Sequence, residues 1–304
     1  MQTVAITGGC GFVGRHLTNR LLADGINVRL FDTFFPDNKA FPAGFDGVKG
    51  YTFTRFDIND IDLLEQNLED VDAIVHLAGI SARYACLGNP YGAFMSNILT
   101  SSSLMEAARR SGVKNIVFAS SIRVSNTDVI SEKDPYTISK YIAELWFQTT
   151  SKITDVIVNI VRFANIYGPG QGEGTAVQDF IARALKGEYP VKFEGEVRIP
   201  FLYIDDAVDV ICHILQNSKI SNICEAQGME GVSLYEVAKI IVEEALKSGV
   251  SFEEKELAKA KKYSMKSNIP ERKPLPPGFC EWVPRVDIKE GVIKTMRHII
   301  EARR

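Results

Sequence analysis

Residues 7–14 read Thr7-Gly-Gly-Cys-Gly-Phe-Val-Gly14, directly after a short β-rich run, Val4–Thr7, and opening a helical stretch that extends to about Asp24. Gly8, Gly11 and Gly14 lie three apart. In a strand–turn–helix setting the first glycine permits the tight turn, the second lets backbone approach a pyrophosphate, and the third lets helix pack on strand. Phe12 and Val13 fall in the first helical turn, whose unpaired N–H groups and positive dipole end suit phosphate. Asp32 ends the next strand, Asn27–Asp32, where a ribose-binding carboxylate belongs. That carboxylate can accept both adenosine ribose hydroxyls and repels a 2′-phosphate, and Thr33-Phe-Phe-Pro36 offers no arginine to neutralise one. NAD is therefore expected over NADP. Cys10 sits at the helix N-terminus, where thiols can become acidic, but a small side chain filling a crowded loop is the preferred reading.

Outward from this loop, short apolar runs alternate with amphipathic helical stretches. Strands are expected at Tyr51–Phe56, Ala73–Leu77, Asn115–Ser120 and Asp155–Phe163, and helices near Asp60–Asn67, Tyr91–Ser111 and Tyr136–Thr150. Strands separated by helices imply parallel pairing through right-handed crossovers. The expected fold is α/β, a Rossmann doubly wound parallel sheet with a smaller C-terminal substrate-binding lobe. Residues 1–164 form the cofactor domain, with about 201–226 returning to it as strands Phe201–Ile204 and Ser221–Ala226 around a helix at Ala207–Gln216. Residues 165–200 and 227–304 form the smaller lobe, with helices at about Val177–Lys186 and Ser233–Ser248, the latter opened by a Ser233-x-x-Glu236 capping box.

Composition excludes several classes. With 45% hydrophobic and 24% charged residues the chain is neither disordered nor collagen-like. A net charge of −3 gives no general drive toward nucleic acid or anionic membrane. The apolar stretches are shorter than the ~20 residues of a membrane span. Five scattered cysteines and four dispersed histidines favour reduced thiols in a cytoplasmic setting and no metal site.

Tyr136 and Lys140 are four apart in a helical segment and so share one face. A phenol ionises near ~10, and a neighbouring ammonium with an oxidised nicotinamide would pull that value toward working pH. The pair follows Ser120-Ser121 at the end of the fifth strand. Here the chain resembles the extended short-chain dehydrogenase/reductases, specifically their NAD-dependent epimerase/dehydratase branch. The matching residues are the Thr7–Gly14 loop, Asp32, Phe56-Asp57-Ile58, His76-Leu-Ala-Gly79, Asn97, Phe118-Ala-Ser-Ser121 and Tyr136-Thr-Ile-Ser-Lys140. They continue through Arg162-Phe-Ala-Asn-Ile-Tyr-Gly-Pro169, Phe201-Leu-Tyr-Ile-Asp-Asp206, Trp282-Val-Pro284 and Gly291.

The resemblance implies roles. Ser121, Tyr136 and Lys140 would be catalytic: Ser121 bonds the reacting oxygen, Tyr136 is the acid/base, and Lys140 holds the nicotinamide ribose. Gly8, Gly11, Phe12, Val13, Gly14, Asp32, Asp57, Ile58, Leu77, Ala78, Gly79, Asn97, Ser120 and Phe163 would contact the cofactor. Asn165, Val177, Arg198 and Arg272 would face the substrate. Asp57 has a second reading as a helix cap and Asn165 as a turn residue; His76 is read as serving the strand end. The chain departs from the pattern at Ile122-Arg123, where hexose 4,6-dehydratases carry the Asp-Glu pair that eliminates water, which argues against a dehydratase. Val124-Ser-Asn126 replaces Val-Tyr-Gly, Arg198 stands five rather than four residues before Tyr203, and the final Arg-x-Gly-Asp element is missing, leaving Arg272. The expected activity is epimerisation of a nucleotide sugar, at C4 of a UDP-hexose, through a 4-keto intermediate. The rivals are net redox by a 4-ketoreductase or dehydrogenase, and a non-catalytic NAD sensor or scaffold. The resemblance also implies a homodimer through the helices at about 91–111 and 136–150.

Overall fold

Val4, Ala5, Ile6, Ala73, Ile74 and Val75 are wholly buried, as strands covered on both faces must be. The computed structural model describes residues 1–34, 48–125, 134–172, 174–190, 198–217, 220–254 and 282–302. These fall into two units. The first holds the described residues of Met1–Phe163 and Val208–Ala226 with Trp282; the second holds those of Ala164–Ala207, from Gln227 to Glu254, and from Val283 onward.

In the first unit the chain runs β1 (Thr3–Thr7), α1 (Phe12–Ala23), β2 (Asn27–Asp32), β3 (Tyr51–Arg55), α2 (Ile61–Asn67), β4 (Ala73–His76), α3 (Arg83–Gly88) and α4 (Pro90–Ala93). A π-helical segment, Phe94–Leu99, leads into α5 (Thr100–Ser111), followed by β5 (Asn115–Ser121), α6 (Pro135–Thr150) and β6 (Ile157–Phe163). After these come β7 (Asn165–Tyr167), α7 (Ala176–Ala184), β8 (Arg198–Tyr203), α8 (Ile204–Asn217), β9 (Asn222–Ala226), β10 (Gly231–Ser233), α9 (Leu234–Lys247) and α10 (Ile288–Glu301).

The main sheet has the order β3-β2-β1-β4-β5-β6-β9, every neighbouring pair parallel. The chain steps outward from β1 to β3 and then crosses back to lay β4 beside β1. Ligands of open α/β sheets bind at such a reversal, beyond the carboxyl ends of the strands. Thr7 and His76 pair in register there. Phe31, Phe56, Leu64, Ile74, Leu104, Ile116, Phe118 and Phe147 belong to the core beneath.

Two expectations need correction. Of the strands flanking α8, β9 joins the main sheet, but β8 pairs with β7 and antiparallel β10 in a separate three-stranded sheet of the second unit. Pro200 lacks an N–H, which suits a short peripheral ladder better than a central parallel strand. Trp282 belongs to the first unit, where its indole N–H donates to Asp209 Oδ2 at 3.1 Å. Helix α10 was not anticipated; Asp287 caps it by accepting from Glu290 N at 2.8 Å. The expected capping box is formed, with Ser233 and Glu236 bonded reciprocally. Among the described residues no helix is long and apolar enough to cross a membrane.

Candidate active site

The β1–α1 turn is shaped by contacts that only glycine allows. Gly8 has φ +68°, and a Cβ there would lie 2.6 Å from Ala78 N. A Cβ on Gly14 would lie 2.5 Å from Gly9 O, so the helix packs directly on the turn. Gly11 opens α1 without a side-chain cap, and its missing Cβ faces only Gly8 O, at 3.1 Å. The first-turn amides of Phe12, Val13 and Gly14 follow it, the arrangement a pyrophosphate requires. Asp32 closes the loop: Oδ2 accepts from Cys10 N at 3.0 Å and Oδ1 from Phe34 N at 3.1 Å. Burial and then the Asp32 carboxylate push the Cys10 thiol up to about 12, so it is a packing residue and no nucleophile.

The facing wall follows β4. Gly79, at φ +139°, leaves the space that Asn97 Oδ1 fills, 2.5 Å from where a Cβ would stand. The π-helical turn carries Asn97 inward, where Oδ1 accepts from Ile80 N at 2.8 Å and Nδ2 donates to Ile80 O at 3.2 Å and Ser139 Oγ at 2.8 Å. Asn97 thus shapes the Leu77–Ile80 backbone and ties it to α6. His76 does related work beneath. Ser101 spends its proton on Asn97 O, so His76 Nε2, 3.3 Å away, donates to Ser101 Oγ; Nδ1 then accepts from Thr7 Oγ1 at 2.7 Å. Burial first, then the Lys140 charge, lower its pKa to about 3 and keep the ring neutral. At the outer strands Asp57 is exposed and accepts from Asn59 N, while Asp60, not Asp57, caps α2. Ile58 packs in the core.

The catalytic candidates meet where β5 ends against α6. Asp134 caps α6 by accepting from Thr137 N at 3.0 Å, and Pro135 starts it at a position needing no N–H. Tyr136 and Lys140 then face the strand end. Ser121 caps the turn Ile122–Val124, and its hydroxyl pulls the Tyr136 phenol down. Lys140 is buried, donates from Nζ to Ala119 O at 2.9 Å, and lies 4.9 Å from the centre of the Phe118 ring. Burial drives its pKa down to about 8, against the opposing pull of Cys86 and Glu144. The phenol differs from expectation. Burial pushes Tyr136 up, and the groups pulling it down are Ser121 and Arg123 rather than Lys140.

Sequence reasoning missed three charged residues here. Glu144, wholly buried on α6, accepts from Ser120 Oγ at 2.5 Å and pairs with Arg162 at 2.7 Å. Arg162 also faces Glu225 on β9 at 3.7 Å. The signal was present: Glu144 is four residues beyond Lys140 and so lies on the same helix face. Phe163 is buried and pairs in register with Ser121.

In the second unit Asn165 is exposed at the start of β7 and Val177 is buried in α7. Arg198 donates to Gly231 O at 2.7 Å and to Glu236 Oε1 at 3.2 Å, so much of its guanidinium braces its own sheet. Its Nε is buried without a partner among the described residues. Arg272 and Asn126 lie outside the described residues.

Residues 4–224 match the model of the NAD dependent epimerase/dehydratase family. The chain belongs to that family. This member is therefore an NAD-dependent enzyme, and its Gly8–Gly14 turn, Asp32 and Leu77–Gly79 wall fit the cofactor. It is 28% identical over 307 residues to a putative UDP-glucose 4-epimerase of Methanocaldococcus jannaschii, covering 95% of both chains. It is 27% identical to UDP-glucuronic acid decarboxylase 1 of Xenopus tropicalis, over 98% of this chain and 72% of that one. Among solved structures, the UDP-glucose 4-epimerase of Thermus thermophilus in complex with NAD superimposes with a TM-score of 0.76 at 25% identity, over 99% of this chain and 100% of that one.

Proposed function

We propose that this family member is a nucleotide-sugar epimerase acting at C4 of a UDP-hexose. The observation that carries the reading is the junction of Ser121, Tyr136 and Lys140 at the end of β5, beside a glycine turn suited to a dinucleotide. NAD⁺, when bound, supplies a hydride acceptor that can return the hydride to either face of a ketone. The protein's part is proton management and orientation. Tyr136 Oη takes the proton of the C4 hydroxyl and gives it back when the 4-keto sugar is reduced. Ser121 Oγ orients that oxygen, and the Lys140 ammonium favours the phenolate and holds the nicotinamide ribose. On the substrate side we assign Asn165, Val177, Arg198 and Arg272, the arginines for diphosphate. The UDP-sugar names of the relatives support a UDP-linked substrate. Ile122-Arg123, in place of an acidic pair, speaks against dehydration.

Purified protein incubated with UDP-galactose and catalytic NAD⁺ is expected to form UDP-glucose without net cofactor reduction. No conversion of any UDP-hexose removes the epimerase reading, and stoichiometric accumulation of reduced cofactor replaces it with a dehydrogenase.

A homodimer through α4, the π segment, α5 and α6 accompanies this reading. Tyr91 and Phe94, three apart, and Ile142, Leu145 and Trp146 on α6 are large apolar side chains left exposed on those helices. Such patches rimmed by polar residues mark interaction surfaces. Light scattering is expected to give the mass of two chains, and Trp146→Glu that of one; a monomer for the unmodified protein sinks the assignment. The scattered cysteines support a cytoplasmic location.

A further inference from the structure

Three consecutive residues at the end of β5 each act on α6, and the residues they act on stand one helical turn apart. Ser121 acts on the Tyr136 phenol, Ala119 O accepts from Lys140, and Ser120 Oγ donates to Glu144. The first two contacts concern residues with assigned chemistry; the third does not. Glu144 is completely buried, yet paired with Arg162 and held from two sides. Arg162 grips it as a fork, with Nε 3.0 Å from Oε1 and Nη2 2.7 Å from Oε2. Arg162 in turn reaches toward Glu225, which also receives the Ser125 hydroxyl. A buried ion pair of this kind seldom stabilises a fold better than apolar residues of the same volume would. Its position, one turn along α6 on the face that carries Lys140, gives the charge a use.

The surroundings of Lys140 show what that use is. The groups facing it are the Phe118 ring and Ala119 carbonyl from β5, the Cys86 thiol from α3, the neutral His76 from β4, and Glu144 on its own helix. Cys86 and then Glu144 oppose the effect of burial on that ammonium; Glu144 is the carboxylate of the two and stands four residues along the same face of α6. We propose that Glu144, clamped by Arg162 and Ser120, is a positioning residue whose carboxylate keeps Lys140 charged and bonded to the end of β5. The idea rests on the role given to Lys140 above, but its test needs no turnover.

The test is an NMR titration of NAD⁺-loaded protein carrying ¹³Cε-labelled lysine, with Lys140→Arg used to assign the signal. Burial already lowers Lys140 to about 8, and Glu144→Gln removes the charge that opposes this while keeping side-chain shape. The midpoint is expected to fall by about one unit, so the charged fraction at alkaline pH drops about tenfold. A second variant, Glu144→Met with Arg162→Met, removes the pair as a whole, a change buried pairs often tolerate, and is expected to shift the midpoint the same way. A midpoint unchanged in either folded variant overturns the proposal, even if the melting temperature falls. Failure of both variants to fold also overturns it, because Glu144 would then be structural. Absence of UDP-hexose turnover by the unmodified protein would defeat the epimerase reading and leave this result standing.

Discussion

Tyr136→Phe is expected to lower kcat by about 10³-fold while leaving NAD affinity and melting temperature near those of the unmodified protein. The substitution keeps the ring and deletes one oxygen, so packing is preserved and the phenol that Ser121 acts on is lost. A positioned general acid/base contributes about 10²–10⁴ to a rate, and no other described group at the end of β5 is placed to replace it. The pH dependence carries a second signature. Burial raises Tyr136, so phenolate is scarce at neutral pH and increases tenfold per unit as pH rises. Lys140, lowered to about 8, loses its ammonium above that point at the same rate. If activity needs phenolate and ammonium together, kcat/KM climbs with unit slope to about pH 8 and then levels, because gain and loss cancel. Bound NAD⁺, being positive, moves the climb to lower pH. Turnover by the Tyr136→Phe variant above a tenth of the original, or a profile flat from pH 6 to 8, would remove Tyr136 from the chemistry.

The cofactor half of this site was legible because its chemistry is written in spacing. Gly8, Gly11 and Gly14 meet backbone atoms, and backbone demands leave little choice of residue. Tyr136 and Lys140 were legible for a similar reason, a four-residue interval on one helix. Glu144 and Arg162 were far less legible, the four-residue step from Lys140 to Glu144 being the one signal. A glutamate in an amphipathic helix reads as solvent-facing until the strand it faces is known, and Arg162 stands in an apolar run that gives no hint of a buried partner. Their pairing joins α6 to β6, a contact that exists only after the sheet is assembled. The rise of Tyr136 escaped for the same reason, since desolvation belongs to the packed site rather than to the sequence interval. Helix α10 was different: Asp287 before Val292, Thr295 and Met296 is a start signal followed by a buried face, and the Pro-rich run ahead of it obscured both. Strand β8 misled because an apolar run does not say which sheet will take it.

Gly8→Ala should show how tightly the turn is drawn, and Gly25→Ala is its control. Both glycines have positive φ, +68° and +76°, so each substitution incurs the left-handed strain of about 1–2 kcal/mol. Beyond that they differ. A Cβ at Gly25 meets nothing within 4 Å, whereas at Gly8 it falls 2.6 Å from Ala78 N and 2.7 Å from Ala78 Cα. Those are main-chain atoms of the Leu77–Gly79 wall that follows β4, so relief requires β1 and β4 to part where they pair in register at Thr7 and His76. In a chain of this size about 1 kcal/mol moves a melting temperature by about 2–4 °C. Gly25→Ala is therefore expected to lose a few degrees and keep its NAD affinity. Gly8→Ala is expected to lose at least twice as much and to bind NAD about 10²-fold more weakly, a cost of about 2.7 kcal/mol. Differential scanning fluorimetry and isothermal titration calorimetry read the two effects separately. Equal melting losses with unchanged NAD binding in both variants would mean that the turn can open without consequence, and that the pyrophosphate lies elsewhere.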